Sequence, residues 1–262
     1  MLTFRGVPIL LYHGLWTDIP QLEGRSAAEL YYWLRAEEFE AQVCRLAAYG
    51  YTTVPLATFL SDGVGPKPPR PIVLTFDDGR ASDWRIAAPI LQRVGWRAEL
   101  FVIVDWIGRP GFMTWEEVHE AAAAGMGIQS HSLSHPDLDR ISTAQLRAEL
   151  EASKGILEQR LGRAVEFFAL PGGTGRMSSV IRLARAAGYR GLCTSRVGLN
   201  QLGTNPFSLS RIPVARTTSR TTLEAWVQGR GLSSLVLRYT LSRFARRCLG
   251  STLYHWVKEK II

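Results

Sequence analysis

Short apolar runs alternate along the chain with longer stretches in which apolar residues recur at helical spacing. The runs are rich in valine, leucine, isoleucine and phenylalanine, a composition typical of strands buried on both faces of a sheet. Strands are predicted at VPILLY, PIVLTF, AELFVIV, MGIQS, VEFFAL and YRGLCTS. Helices are predicted at Ala27–Tyr49, Asp83–Val94, Thr114–Ala124, Ser142–Leu161 and Ser178–Ala187.

Two of these helices begin at a capping box, in which a hydroxyl and a longer polar side chain three residues later satisfy free amides of the first turn. The pairs are Thr114 with Glu117 and Ser142 with Gln145. Gly125 follows the first of these helices, where a left-handed residue often ends a helix. These local signals support the helices independently of hydrophobic spacing.

The alternation of strands and helices predicts an α/β fold with a parallel sheet, which is either a barrel or a doubly wound sheet. About seven units favour the (β/α) barrel. We expect residues 1–228 to form this domain and residues 229–262 to form a basic, amphipathic C-terminal segment. In such barrels the functional groups lie at the carboxyl ends of the strands.

The composition is that of a globular protein, because 46% of the 262 residues are hydrophobic and can form a sizeable core. The formal net charge is +8, and after residue 228 seven basic residues accompany one acidic residue. The rest of the chain is nearly balanced in charge. Since no nucleic-acid-binding motif accompanies the basic residues, we expect no nucleic-acid partner.

Cysteine use and the N-terminal sequence bear on the cellular compartment. Cys44, Cys193 and Cys248 lack CxxC spacing, which argues against a disulfide framework and against a thiolate metal site. The apolar run near the N-terminus is far shorter than the roughly 18 residues expected of a membrane span, and it does not resemble a secretory signal. We therefore expect a cytoplasmic protein.

Polar or turn-forming residues follow four of the predicted strands. VPILLY leads to His13, PIVLTF to Asp77 and Asp78, MGIQS to His131 and His135, and VEFFAL to Pro171-Gly172-Gly173. Because the carboxyl ends of parallel strands meet at one edge of a sheet, these residues are expected to lie close together.

The two adjacent carboxylates, Asp77 and Asp78, would raise each other's proton affinity if buried together, unless a cation neutralises one of them. The histidines of HSLSH are four residues apart, which on a helical turn would place both imidazoles on one side. Asp78 with His131 and His135 then forms a two-histidine, one-carboxylate set, which is typical of catalytic zinc. Iron and other borderline divalent ions accept the same ligands. Asp77 would remain free as a base.

Each element also has a simpler interpretation. A DDG triplet alone is most often a turn, and an HxxxH pair alone is often a pair of helix-surface histidines. Their joint occurrence at two strand ends favours the metal site. His119 lies inside a predicted helix without a partner at metal spacing and is expected to be structural. For His13, spacing alone fits a packed histidine and a functional one equally well.

TFDDG at residues 75–79 and HSLSH at residues 131–135 resemble the first two motifs of the polysaccharide deacetylases, the NodB-homology or carbohydrate esterase family 4 enzymes. The resemblance extends over roughly Val7–Val214 and includes FFALPGG and the RIPV run at Arg211–Val214. The third motif is most similar to that of the poly-N-acetylglucosamine deacetylase branch. The family fold is a distorted (β/α) barrel, usually of seven strands, in agreement with the strand count.

The resemblance implies a role for each matching residue. Asp77 corresponds to the general base, and Asp78, His131 and His135 correspond to the ligands of one divalent metal ion, for which zinc is expected. The backbone amide of Gly172 corresponds to a donor to the oxyanion. The implied activity is a metal-dependent hydrolysis that removes N-acetyl groups from an amino sugar in a glycan or glycolipid and releases acetate.

Two departures from the family pattern bear on this site. The third motif commonly has an arginine two residues before its proline, which contacts the catalytic aspartate, whereas this chain has Ala169; Gly172 also replaces an aromatic residue. The usual late LxH motif is absent from its expected place. LLYHG resembles the early YH motif of the poly-N-acetylglucosamine branch, so the acid is assigned to His13, with His255 as the weaker candidate.

Other functions stay open at this point. The departures would also fit a non-catalytic, metal-retaining glycan-binding protein, and a deformylase or deacetylase of a lipid-linked sugar would use the same chemistry. The C-terminal segment has an apolar stripe with arginines opposite, which fits either peripheral contact with an anionic membrane or packing on the barrel. The stripe consists of Leu237, Leu241, Phe244 and Cys248, and the arginines are Arg243, Arg246 and Arg247.

Overall fold

A computed structural model describes residues 6–18, 26–61, 68–173, 175–201 and 203–240. Its strands are β1 (Ile9–Tyr12), β2 (Leu15–Trp16), β3 (Leu34–Arg35), β4 (Thr52–Thr53), β5 (Pro71–Asp78), β6 (Glu99–Val102), β7 (Gly127–Ser130), β8 (Phe167–Ala169), β9 (Gly191–Cys193) and β10 (Ile212–Pro213). Its helices are α1 (Ala27–Leu30), α2 (Ala36–Ala48), α3 (Leu56–Leu60), α4 (Ala88–Arg93), α5 (Trp115–Ala123), α6 (Thr143–Leu161), α7 (Met177–Ala186) and α8 (Arg220–Val227). Residues 232–240 form a further helix, α9.

The main sheet is parallel and curls into a half-barrel, as the strand pattern predicts. Its strand order is β10-β1-β5-β6-β7-β8-β9, and β4 also pairs with β5. The terminal strands of this order are β10 and β9. Cys193 of β9 forms a parallel bridge with Leu209, which precedes β10 in the chain, and Thr194 N donates to Leu209 O at 2.9 Å. The result is a distorted (β/α) barrel, which places the carboxyl ends of the central strands at one rim.

Alternate side chains of the strands enter two separate hydrophobic clusters. The outer cluster packs the sheet against helices α2, α4, α5, α6 and α7. The second cluster fills the interior of the barrel and includes Val73, Phe101, Phe167, Ala169 and Cys193. Because both faces of each strand are buried, the strands lack polar alternation.

The predicted helix ends are confirmed where they rest on capping chemistry. Thr114 and Ser142 each form the expected capping box, and Gly125 has a left-handed φ of 86°. The helix predicted over Asp83–Val94 begins instead with a π-helical turn, Asp83–Ala87, which leads into α4.

The helix predicted over Ala27–Tyr49 is wrong, because this segment is divided into α1, β3 and α2. Leu34 and Arg35 pair with Leu15 and Trp16, and the Trp33 ring packs so closely on Gly14 that an added Cβ there would lie 2.3 Å from it. Tertiary pairing thus overrides the helical spacing of this segment.

The C-terminal segment packs partly against the barrel. Leu235 of α9 is buried in the outer cluster, seven residues beyond the expected boundary at residue 228. The other residues of the predicted stripe and the arginines opposite it lie outside the described residues: Leu241, Phe244, Cys248, Arg243, Arg246 and Arg247. Among the helices of the described ranges, none has the length and apolar character needed to cross a bilayer.

Candidate active site

The polar residues that follow the strands meet at one rim of the barrel. β5 ends in Asp77 and Asp78, and Asp77 is in register with Phe101 of β6. β1 lies on the other side of β5 and leads to His13, while β7 leads to the two histidines of HSLSH. The strand ends therefore bring the sequence-predicted side chains into one site.

Asp78, His131 and His135 each offer one ligand atom, and these three atoms lie within 4.8 Å of one another. His131 Nε2 is 3.7 Å from Asp78 Oδ1. On the other side of the ring, His131 Nδ1 donates to Ala169 O at 3.0 Å, so that Nε2 is the ring nitrogen that faces the aspartate. Burial, together with neighbouring His131, lowers the pKa of His135 to about 4, so its imidazole is neutral near pH 7. This donor set fits a divalent cation.

The loop that carries both histidines, which we call the HSLSH loop, is not helical. The predicted helical turn is wrong, because Ser132 and His135 have left-handed φ values of 73° and 63°. Glu149 of α6 accepts hydrogen bonds from two successive amides of the loop, and Ser132 Oγ accepts one from the His135 amide at 2.9 Å. The imidazoles nevertheless meet, with ring centroids 5.0 Å apart, because these bonds fold the loop back on itself.

Asp78 is the last residue of β5 and has a left-handed φ of 79°, a conformation that aspartate tolerates better than most side chains. Its Oδ2 accepts a hydrogen bond from Arg80 Nη2 at 3.2 Å. The Arg80 guanidinium also pairs with Glu29 at 3.1 Å and lies over the Phe112 ring, 4.5 Å from its centroid. Burial would raise the pKa of Asp78, but the nearby histidines and Arg80 outweigh it and lower the pKa.

Asp77 forms a buried, bidentate ion pair with Arg211. Arg211 Nη1 lies 2.7 Å from Asp77 Oδ1, and Nη2 lies 2.8 Å from Oδ2, with side-chain exposures of 1% and 4%. Burial alone would raise the pKa of Asp77, but the charges of Arg211 and His131 and the hydrogen bonds from Arg211 hold it at about 2. Asp77 is therefore ionised, and it is not one of the three residues whose ligand atoms lie within 4.8 Å of one another.

Arg211 is the functional residue that the sequence analysis missed. It immediately precedes β10, and its Nε donates to Thr194 O at 3.0 Å, while its guanidinium lies over Phe101 at 5.8 Å. The sequence did contain an indication of this role, because an arginine that directly precedes a buried apolar run and is itself buried must be paired with an acceptor or an acidic side chain. The partner itself lies 134 residues away and could not be read from spacing.

His13 lies beside the two aspartates, immediately after β1. Burial lowers its pKa below the ordinary value, although the charges of Asp78 and Asp77 act in the opposite direction. Its ring packs on Tyr32, with centroids 4.9 Å apart and an angle of 30° between planes.

Gly172 lies in the turn that follows β8 and has a left-handed φ of 56°. The turn begins three residues after Phe168 and two residues after Ala169. The carbonyl oxygen of Ala169 accepts the hydrogen bond from His131. The neighbouring Gly173 is required by close packing, since an added Cβ would lie 1.9 Å from Ser195 Oγ.

Of the other two histidines, His119 is an exposed residue of α5, and His255 lies outside the described residues.

Comparison with known proteins assigns the chain and its fold to one family. A sequence model of the polysaccharide deacetylases matches residues 64–192. YxkH of Bacillus subtilis, which carries the provisional name of a polysaccharide deacetylase, is 28% identical over 225 residues, covering 85% of this chain and 76% of its own length. The structure of the Streptococcus pyogenes deacetylase PplD, solved with acetate, superposes with a TM-score of 0.76 at 25% identity and covers 86% of this chain and 99% of PplD. This chain belongs to the polysaccharide deacetylase family.

Two further relatives of this chain are informative. The poly-beta-1,6-N-acetyl-D-glucosamine N-deacetylase of Escherichia coli K12 is 28% identical over 144 residues, which are 48% of this chain and 21% of that enzyme. The Bacillus cereus polysaccharide deacetylase BC0361 superposes with a TM-score of 0.74 at 25% identity, covering 85% of this chain and 69% of BC0361. The chain thus spans about a fifth of the Escherichia coli enzyme but most of YxkH and PplD.

The structure also shows which group pairs with Asp77 in the absence of the usual arginine. Ala169 occupies that arginine's place in the third motif, and its small side chain lies in the interior cluster. Arg211, from the other end of the curled sheet, supplies a guanidinium to the same aspartate.

Proposed function

We propose that this member of the polysaccharide deacetylase family is a metal-dependent hydrolase that removes N-acetyl groups from an N-acetylated amino sugar in a glycan or glycolipid and releases acetate. One observation carries the proposal: three metal-ligand atoms lie within 4.8 Å of one another, and a carboxylate outside that set, Asp77, is held ionised beside them. A purely structural metal site would have no use for this additional buried charge, since ligation needs only Asp78 and the two histidines.

Asp78, His131 and His135 would hold the cation, for which we propose zinc, and the cation when bound lowers the pKa of water and polarises a carbonyl group. Asp77 accepts the proton of the attacking water, because it is ionised and not required as a ligand. The Gly172 amide donates a hydrogen bond to the developing oxyanion. His13 donates a proton to the leaving amine, and its lowered pKa makes the protonated imidazole a stronger acid.

The test is acetate release from a panel of N-acetylated sugars, measured with and without a chelator. The panel starts with β-1,6-linked N-acetylglucosamine oligomers, since one relative is named for that polymer. Asp77→Asn should retain metal by elemental analysis and lose about a hundred-fold or more in kcat. The exposed histidine variant His119→Gln serves as the control and should keep full activity. An active Asp77→Asn, or acetate release that survives chelation, would contradict the proposal.

The alternative of a non-catalytic glycan-binding protein rests on the missing arginine and on the missing aromatic residue at Gly172. It has less support because Arg211 provides the guanidinium that the first of these arguments requires. Deformylation or deacetylation of a lipid-linked sugar remains a chemically equivalent alternative, and N-formylated and lipid-linked amino sugars in the same panel distinguish it by product.

We also propose that the C-terminal segment makes peripheral contact with an anionic membrane at its cytoplasmic face. Val236 and Leu237 of α9 are 40% and 60% exposed, and basic residues predominate after them. Flotation with phosphatidylglycerol liposomes tests this, with phosphatidylcholine liposomes for comparison. Replacing both side chains by serine should abolish flotation, whereas the matched change Tyr49→Ser should not. Deletion from residue 229 is unsuitable because it removes buried Leu235. Absence of the wild-type protein from the floated anionic liposomes would contradict the proposal.

A further inference from the structure

In the part of the chain that the structure describes, no hydrogen bond to Nδ1 fixes the ring of the proposed acid, His13. Its Nδ1 is buried and has no hydrogen-bond partner within the described ranges, in contrast to His131 Nδ1, which donates to Ala169 O. Rotation of a histidine ring about its second side-chain torsion is soft, so another contact has to restrict it. The ring of Tyr32, 4.9 Å away and tilted by 30°, provides that contact.

The backbone on either side of this contact is fixed. β2 follows His13 and pairs with β3, which follows Tyr32. Leu34 N donates to Gly14 O at 3.1 Å, so the two chain segments remain in register directly beside the contacting rings of His13 and Tyr32. Relative sliding of the segments would break this pairing.

The Tyr32 ring is in turn held by α9. Tyr32 Oη and Tyr239 Oη are 3.0 Å apart and share a hydrogen bond. One residue earlier in each segment, Arg238 donates to the hydroxyl of Tyr31, whose ring packs edge-on against Tyr32. Burial raises the pKa of Tyr239, so its hydroxyl keeps the proton needed for the bond.

We propose that Tyr32 is a positioning residue for His13 and that Tyr239 holds Tyr32 in place, so that α9 contributes to the proton-donating step. The inference rests on the proposed function in one respect, the assignment of His13 as the acid. Tyr32 touches the acid and acts through it. Its effect should therefore depend on how much the leaving group needs a proton.

The experiment compares two substrates that differ in this need. An N-acetylglucosamine oligomer loses a poor amine leaving group, whereas p-nitrophenyl acetate loses p-nitrophenolate, which departs without protonation. Tyr32→Leu should lower kcat on the oligomer by about ten-fold to a hundred-fold, the range expected when a catalytic group is misplaced. KM, metal content and turnover of the ester should change little. Tyr32→Phe, which keeps the ring, should restore most of the activity, and Tyr49→Leu serves as the exposed control.

The His13→Ala background separates positioning from general structural damage. If Tyr32 acts through His13, adding Tyr32→Leu to His13→Ala should cause no further loss on the oligomer, and Tyr239→Phe should show a smaller selective loss in the wild-type background. Equal loss on both substrates, or an additive effect in the double variant, would overturn the positioning role. A His13→Ala variant without selectivity for the oligomer would instead overturn the assignment of the acid.

Discussion

Removing the Arg211 guanidinium should raise the pKa of Asp77 into the range where activity is measured. Arg211→Met keeps most of the side-chain volume but leaves a buried carboxylate without its cation. Asp77 titrates at about 2 in the folded protein, and a return to the ordinary value of about 3.9 corresponds to roughly 2–3 kcal/mol. Burial then raises the pKa further.

The first assay is kcat/KM against pH at saturating metal. In the wild-type protein no limb of the profile should arise from Asp77 above pH 4, since its carboxyl is ionised throughout. In Arg211→Met a new acid limb should appear above pH 4, because the protonated carboxyl cannot accept the proton of water. Arg211→Lys keeps one charge without the bidentate geometry and should give an intermediate profile.

Equilibrium unfolding gives an independent measurement of the same ion pair. Loss of one partner of a buried pair costs about 3–5 kcal/mol. The depressed pKa of Asp77 contributes stability that is present above pH 4 and lost as pH falls towards 2, so Arg211→Met should lack this part of the acid destabilisation. Adding Asp77→Asn should recover part of the stability but no activity. An Arg211→Met protein with the wild-type pH profile and unchanged stability would refute the reasoning.

Three further changes have effects that follow directly from the structure. Glu149→Ala should weaken metal affinity by about ten-fold or more, because outer-shell partners hold the ligand loop, and titration of the metal-free protein measures this; unchanged affinity would show that the HSLSH loop folds without Glu149. Gly127→Ala should lower the unfolding midpoint, since its Cβ would lie 1.9 Å from the buried Glu99 carboxylate, whereas Gly155→Ala in α6, where space is open, should not. Burial raises the pKa of Cys193 to about 12, so thiol labelling followed by mass spectrometry should modify exposed Cys44 in the native protein and Cys193 only after unfolding.

The parts of the fold that sequence reasoning predicted are those with local causes. Capping boxes at Thr114 and Ser142 depend on side chains three residues apart, and strands such as β5 are marked by continuous apolar character. The clustering of Asp77 and Asp78 with the HSLSH histidines follows from a general property of parallel barrels, whose strand ends meet at one rim.

The failures have long-range causes. The helical turn predicted for HSLSH is replaced by a loop that depends on Glu149, a residue of the following helix. The carboxylate of Glu149 accepts hydrogen bonds from amides of the loop, and no spacing rule predicts these contacts. Similarly, the segment around Trp33 leaves the helical pattern because it pairs with the strand after His13. In both cases, tertiary contacts outweigh a local propensity worth well under 1 kcal/mol per residue.

The arginine of the third motif illustrates why residue roles are harder to transfer by sequence position than by space. Every strand of the curled sheet sends alternate side chains into the same interior, so a positive charge for Asp77 can come from any strand whose side chain reaches that volume. Here the strand that would usually carry it has Ala169, and Arg211 enters from beside β10. The chemical requirement is that a buried carboxylate be paired with a cation. This requirement restricts the position of the guanidinium in space but not the position of the arginine in the sequence. A missing motif residue is therefore evidence for lost activity only after the barrel interior has been searched for its substitute.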